Sequence, residues 1–357
     1  MHAGIDTDER PLLVIWELTQ ACDLACHHCR ASARPQRHPD ELSTAEAKAL
    51  LDDIRAFGPG TLVVFSGGDP FKRDDVTELI AYGDALGLRM SLTPSGTRLV
   101  DREAVEELAA AGLANLAVSL DGPDPESHDA FREEPGSYDE TIAIAEAAAD
   151  HDVSLQINTT VCAETADALP GIRDRVTDLG AIRWSVFFLV PLGRGSVLDP
   201  VTPERAEAIW EWLAEVDETA PFALKTTEAP AYRRVRAQRG AGEGGSRPGV
   251  ATLAGDGFVF VSHRGEIYPS GFLPQSAGSV RERDLATVYR EHELFRSLRD
   301  RSQLTGKCGA CGFREQCGGS RSRAHATTGD PLASDPLCPY VPAGYDGPIP
   351  GPAHVGD

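Results

Sequence analysis

The sequence predicts an α/β protein: a partial (β/α)6 TIM-like barrel followed by a small, cysteine-rich C-terminal domain. Three observations carry that reading. Short apolar runs alternate with longer helical patterns through the first two hundred residues, the signature of parallel strands joined by crossover helices. A chain of 357 residues is long for one ordinary domain and suits a large α/β unit with an appendage. Seven of the eight cysteines fall in two groups, at 22, 26 and 29 and at 308, 311, 317 and 338.

The first candidate strand, residues 12–18 (LLVIWEL), is a near-continuous apolar run of the kind that is covered on both faces. Further strands are expected at 62–66, 89–93, 115–119, 154–158 and 184–190, with helices at 44–57, 74–86, 102–111, 138–151 and 169–179 between them. Right-handed crossovers wind such a series into a barrel, and six units leave it partial. A helix near 203–217 follows, and then residues 239–248 (RGAGEGGSRP) read as a Gly-rich linker. Two short strands at 258–262 and 266–268 around His263–Arg264–Gly265 resemble a hairpin. The expected division is therefore 1–238 for the barrel and its following helix, 239–249 for the linker, 250–345 for the cysteine domain and 346–357 for a flexible tail.

Charge narrows the partners. Acidic residues number 55 against 34 basic ones, a formal charge of −21, and only Lys48, Lys72, Lys225 and Lys307 are lysine. Such a surface repels nucleic acid. It suits a high-salt cytoplasm, where screening relieves self-repulsion, and points to a halophilic source, with an ordinary acidic enzyme as the other reading. No apolar run reaches the length of a membrane span, and the opening MHAGIDTDER lacks a signal pattern, so a cytoplasmic protein is expected. Eight cysteines in that setting favour metal or redox chemistry over disulfides.

Cys22, Cys26 and Cys29 lie in ELTQACDLACHHCR directly after the first strand, at the barrel end where active sites gather. Three thiolates in one loop leave one iron of a [4Fe–4S] cluster without a protein ligand. A zinc site closed by His27 or His28, and a set of buried free thiols, are the competing readings. This C-x3-C-x2-C loop resembles the signature of the radical S-adenosylmethionine (SAM) superfamily, and the barrel is then of the radical SAM type. The resemblance implies that the amino and carboxylate groups of SAM chelate the open iron, and that reduction breaks a carbon–sulfur bond to release a 5′-deoxyadenosyl radical. An external electron donor such as ferredoxin or flavodoxin is implied as well. His28 stands where the family usually has an aromatic residue that packs against adenine.

Later strand ends extend the resemblance. Ser66–Gly67–Gly68–Asp69–Pro70 is similar to the family's GGE segment, which receives the SAM amino group, with Asp69 in place of Glu. Thr93–Pro94–Ser95–Gly96 ends the third strand, so Thr93 and Ser95 join the candidate cofactor contacts. Ser119–Leu120–Asp121–Gly122 is similar to the SLDG segment whose serine contacts SAM, and Asn158 and the backbone near Leu189 would face ribose and adenine.

Cys308, Cys311, Cys317 and Cys338 can saturate either a zinc ion or a [4Fe–4S] cluster. The tract resembles the SPASM or twitch extensions of radical SAM maturases, whose fuller form carries two auxiliary clusters. Two cysteines of that form are Ser270 and Ser320 here, both belonging to the inner cluster, so one auxiliary cluster is expected. Cys162, beside Thr160 and Val161, reads as a buried apolar thiol.

Across VIWELTQACDLACHHCRASA and CGFREQCGGSRSRAHATTGDPLASDPLCPY the chain resembles radical SAM proteins of alternative haem biosynthesis. Those relatives remove acetates from didecarboxysirohaem or oxidatively decarboxylate two propionates of iron-coproporphyrin III to vinyls, which makes a tetrapyrrole the expected small-molecule substrate. In the second reaction a hydrogen β to the ring is abstracted, carbon dioxide leaves, and the auxiliary cluster accepts an electron. Arg194, Arg321 and Arg323 are candidates to pair with substrate carboxylates, or else bridge domains. Lone histidines such as His263 and His325 do not support haem ligation. A peptide maturase is the competing enzyme reading, against which stand the roughly ten residues before the first strand, too few for a strand-adding recognition domain. A non-enzymatic iron–sulfur carrier or scaffold leaves the open-iron triad unexplained.

Overall fold

The computed structural model describes residues 6–240 and 252–351. Nine strands form one sheet: β1 (Leu13–Thr19), β2 (Leu62–Gly67), β3 (Arg89–Leu92), β4 (Asn115–Ser119), β5 (Ser154–Val161), β6 (Arg183–Phe188), β7 (Ala223–Thr227), β8 (Phe258–Val261) and β9 (Ile267–Tyr268). Their order is β7-β6-β5-β4-β3-β2-β1-β8-β9, parallel throughout except for the antiparallel β8–β9 hairpin. The helices are α1 (Thr44–Arg55), α2 (Val76–Ala85), α3 (Arg102–Ala110), α4 (Pro125–Arg132), α5 (Ser137–Asp150), α6 (Leu169–Asp178), α7 (Pro203–Thr219), α8 (Ala231–Gln238), α9 (Leu285–Glu291), α10 (Glu293–Arg299), α11 (Gly306–Gly309) and α12 (Arg321–Thr328).

Strand alternation sorts the side chains into two faces. Val14, Trp16, Leu18, Val63, Phe65, Met90, Leu92, Leu155, Ile157, Trp184 and Val186 pack outward into one core with the helices. The intervening residues are largely polar: Glu17, Ser66, Ser91, Ser119, Asn158, Ser185 and Lys225. A polar inner face and an apolar outer one make the lumen a place for a ligand, not a second core. Helix starts are set by local chemistry. Ser43 and Glu46 exchange a capping box at α1, and Asp101, Asp124 and Thr202 cap α3, α4 and α7.

The six expected strands are present within two or three residues of their expected ends, and the structure adds to them. β7 was missed because ALKTT, at the sheet edge, has too few apolar residues to read as a strand. α4 was missed because its eight residues carry a mean polar character. The expected hairpin forms, and β8 also pairs with β1 in parallel, Leu13 opposite Phe258 through Trp16 opposite Val261. The sheet therefore runs on past the expected boundary at 250. Residues 241–249 of the expected linker and 352–357 of the expected tail lie outside the described residues. Among the described residues no helix is long and apolar enough to cross a membrane.

Candidate functional site

The cysteine loop follows β1 and is pressed onto the end of β2. Gly68 and Asp69 donate their N–H groups to the carbonyls of Thr19 (2.8 Å) and Ala21 (2.6 Å). A Cβ on Gly68 would drive into the Ala21 carbonyl, and Gly67 holds φ at +129°, so both glycines are required by the close approach. Within the loop Cys22, Cys26 and Cys29 gather against Leu24 and Ala33. All eight cysteines of the chain are free. Burial pushes the Cys22 and Cys26 thiols up, countered at Cys22 by the hydroxyl of Ser95 and at Cys26 by Arg132.

The strand-end residues surround this loop. Ser95 Oγ donates to the Gly68 carbonyl (2.7 Å) and lies 3.3 Å from Cys22 Sγ. Asp69 is fully buried; its carboxylate accepts from Thr97 Oγ1 (2.8 Å) and the Phe71 N–H (3.1 Å), and burial raises its pKa. Thr93 donates its N–H to Phe65. Ser119, on β4, is in register with Asn158, on β5, and the Asn158 side chain accepts from Gln156 (2.8 Å). Leu189 has both backbone groups engaged, the N–H by Val161 and the carbonyl by Arg323; its side chain packs with Phe131, Leu198 and Cys162, the last a fully buried apolar thiol as expected. His28 stacks on Phe131 at 4.7 Å and 10°, and its Nδ1 is buried without a hydrogen-bond partner. Burial, reinforced by Arg132, lowers its pKa to about 4. His27 instead turns to Glu133 (2.9 Å).

Three sets of contacts around the loop went unread in the sequence. Asp121 and Arg132 form a buried pair at 2.9 Å, with Arg132 also at Cys26, and His128 Nδ1 accepts the Asp121 N–H. The spacing of His128 and Arg132, one turn apart on α4 after SLDG, was the available signal. Arg194 braces the loop by donating to the carbonyls of Cys26 (3.0 Å) and Ala33 (2.8 Å), while its Nη2 is buried and unpartnered. Glu17 on β1 joins Arg30 (2.8 Å) and His263 (2.6 Å); burial pushes its carboxyl up, but the Arg30 guanidinium and the hydrogen bond with His263 hold it below its ordinary value. Arg30 also lies over the Phe260 ring at 4.7 Å, tying the loop to β8.

The four C-terminal cysteines line one cavity, with Arg234, Lys307, Phe313 and Tyr340. Backbone amides point at their sulfurs: Asp335 N–H at Cys308, Phe313 N–H at Cys311 and Gly319 N–H at Cys317, each at 3.4 Å. Leu24 N–H makes the same contact with Cys22 at 3.3 Å. Such donors stabilise sulfur that carries negative charge. Burial pushes the Cys317 thiol up to about 12 and Cys338 to about 11, so thiolates here need a positive centre among them. Among the described residues no three His, Cys, Asp or Glu side chains converge as they would around a single ion.

Of the two readings of the arginines, the bridging one matches the contacts. Arg321 donates to the carbonyls of Gly319, Pro331 and Ala333, and Arg323 to Asp335, Phe188 and Leu189. Both are buried and their donors are spent inside the protein, as are two of Arg194, so they bridge segments and do not form a clamp for carboxylates. Ser270 and Ser320 are brought to one residue: with Ser322 they donate to the Glu228 carboxylate. Glu228 itself sits at φ +55° in the turn between β7 and α8.

The sequence model described as Radical SAM superfamily matches residues 16–175. The chain is 41% identical over 342 residues to the AdoMet-dependent heme synthase of Methanosarcina barkeri, covering 93% of this chain and 97% of that one. It is 39% identical over 341 residues to the enzyme of that name from Nitratidesulfovibrio vulgaris, covering 92% of each. Among solved structures it resembles Streptococcus suis SuiB bound to S-adenosylmethionine, with a TM-score of 0.72 and 17% identity over 93% of this chain and 78% of that one, which is a likeness of fold.

Proposed function

The chain belongs to the radical SAM superfamily, and from that premise we propose that it oxidatively decarboxylates propionate side chains of an iron-bound tetrapyrrole in haem formation. The observation that carries this is the 41% identity to an AdoMet-dependent heme synthase along nearly the whole of both chains. As a radical SAM enzyme it uses a [4Fe–4S] cluster and SAM, which together supply a 5′-deoxyadenosyl radical.

In this reading Cys22, Cys26 and Cys29 hold the SAM cluster, and residues 1–238 form the barrel that carries it. Gly67, Gly68, Asp69, Thr93, Ser95, Ser119, Asn158, Leu189 and His28 surround SAM. The fit rests on the groups around the loop: His28 Nδ1 and Arg194 Nη2 are buried polar atoms without partners, which an acceptor-rich ligand would answer. Arg132 offsets negative charge at Cys26, and Ser95 fixes the distance between Cys22 and the Gly68 turn. The polar inner face admits the substrate, and the helices outside exclude water from behind it.

Cys308, Cys311, Cys317 and Cys338, in residues 250–345, hold a second [4Fe–4S] cluster. Four sulfurs around one cavity, three of them with backbone amide donors aimed at them, support a multi-iron body here. Glu228 takes the hydroxyls of Ser270 and Ser320, where a second auxiliary cluster would otherwise sit. The physiological reductant is a ferredoxin or flavodoxin in the cytoplasm.

The test is anaerobic turnover of the reconstituted protein with SAM, reductant and iron-coproporphyrin III. The expected result is deoxyadenosine together with porphyrin product lighter by two carbon dioxide units and four hydrogens, that is, two vinyls in place of two propionates. Deoxyadenosine with unchanged porphyrin mass would overturn the substrate assignment.

A further inference from the structure

The barrel lumen contains a cation that the protein leaves without a counter-charge. Of the four lysines, Lys48 pairs with Glu78 at 2.6 Å, Lys72 with Asp23, and Lys307 donates to the Cys338 carbonyl. Lys225 on β7 has no hydrogen bond and no ion pair among the described residues. In a chain with 55 acidic residues that is a conspicuous omission.

Register fixes where Lys225 lies. Ser119 pairs with Asn158, Asn158 with Ser185 and Ser185 with Lys225, a single row across β4 to β7. Ser119 and Asn158 are the candidate SAM contacts, and adjacent strands are about 4.8 Å apart, so Lys225 is at their level and roughly 10 Å along the row from Asn158. One step below runs the row Ala117, Gln156, Arg183 and Ala223. Arg183 shares the inner face with Lys225, because Trp184 between its strand neighbours packs outward against Trp212 and Phe222. Among the described residues its one hydrogen bond is at 3.5 Å to the Gln156 amide oxygen.

Two like charges on one face, half-withdrawn from water, repel each other, and among the described residues neither has an acidic partner. Burial first, then Arg183 and Arg233, lowers the Lys225 pKa to about 8. Arg233 is directed elsewhere, donating to the carbonyls of Gln316 and Thr252 beside Cys317. What would satisfy Lys225 and Arg183 is an anion entering from the lumen.

We propose that Lys225 and Arg183 form an anion subsite on the inner face of the barrel that anchors a carboxylate of the substrate beside the reaction centre. This rests on the tetrapyrrole reading above. A substrate with several peripheral carboxylates can present one side chain at the Ser119–Asn158 level while another is held two strands away. The subsite positions the reacting carbon; it takes no part in bond breaking.

The test is anaerobic titration of the holoprotein with iron-coproporphyrin III and, separately, with its tetramethyl ester, followed by visible absorbance. K225M and R183Q are each expected to weaken binding of the free acid about 10-fold or more, the range for a lost charge-assisted hydrogen bond, while K225R stays near wild type. Ester binding should be indifferent to K225M, and SAM binding by equilibrium dialysis should be unchanged. Iron content and thermal midpoint of each variant report folding, and recovery in K225R separates charge from packing. Free-acid binding by K225M equal to wild type overturns the subsite while leaving the tetrapyrrole reading intact. Equal loss for acid and ester, or a loss confined to SAM, overturns it as well. Wild-type protein that binds no porphyrin overturns the tetrapyrrole reading and the subsite with it.

Discussion

Arg132 and Asp121 illustrate how single residues couple the fold to the cysteine loop. Asp121 is buried, with its carboxylate on Arg132 and on the Thr160 N–H at 2.7 Å, and despite burial its pKa is held below the ordinary value, chiefly by Arg132. Replacing Arg132 by Met leaves that charge unanswered, and denaturant melts should show a loss of about 3–5 kcal/mol; a loss below about 1 kcal/mol would contradict the pairing. His128 gives a pH dependence. Burial, with Arg132 nearby, lowers its pKa from 6.5 to about 4, and Nδ1 accepts the Asp121 N–H, which requires the neutral ring. Between those values the unfolded chain binds the extra proton, so stability is full above about pH 6.5 and falls as pH drops toward 4, by roughly 3 kcal/mol in all. Melts of wild type and His128→Gln at pH 7 and 4.5 should differ in their pH slope; equal slopes would sink the assignment. At this scale the sequence was legible where residues act in a local motif. The cysteine spacings, Gly67–Gly68 and Ser95 were readable; Glu17, Arg30 and His263 were not, because their meeting joins residues 246 positions apart.

Among the elements, the junction of the cysteine loop with β2 is the most constrained. Gly68→Ala would push its Cβ into the Ala21 carbonyl, and the backbone on the far side cannot yield as a flexible side chain would. The expected variant folds but fails to retain iron at the N-terminal cysteines, as read by iron content and electron paramagnetic resonance of the reduced protein; full iron would show the loop tolerates displacement. The C-terminal cavity makes a separate prediction. Cys308→Ala and Cys311→Ala should lower iron content while sparing the N-terminal cluster, whereas unchanged iron with stoichiometric zinc would replace the auxiliary cluster by a structural metal. Strands with outward apolar alternation were found from the sequence because that pattern meets the helices. β7 and the β8–β1 pairing escaped for a different reason: an edge strand need bury little, and no local pattern says which distant strand a hairpin will join.

For the molecule as a whole, charge and continuity matter most. A formal charge of −21 with few lysines predicts that the thermal midpoint rises with potassium chloride from low to molar concentration, as screening removes self-repulsion; a midpoint independent of salt would remove the halophile proposal. The continuous sheet, together with Arg30 over Phe260 and the serines on Glu228, connects the C-terminal segment to the barrel. Fold class and the grouping of the cysteines into two sets were readable from the sequence, since each depends on periodicity or spacing. The luminal cations were not, because Lys225 and Arg183 become neighbours only through strand register.

The central claim is that the open-iron site of Cys22, Cys26 and Cys29 cleaves SAM, and deoxyadenosine production addresses it most directly. Reconstituted wild type with SAM and reductant should form deoxyadenosine, and Cys22→Ala, Cys26→Ala and Cys29→Ala should each abolish it while the C-terminal cysteines keep their iron. Deoxyadenosine formed at the wild-type rate by any of the three would contradict the account.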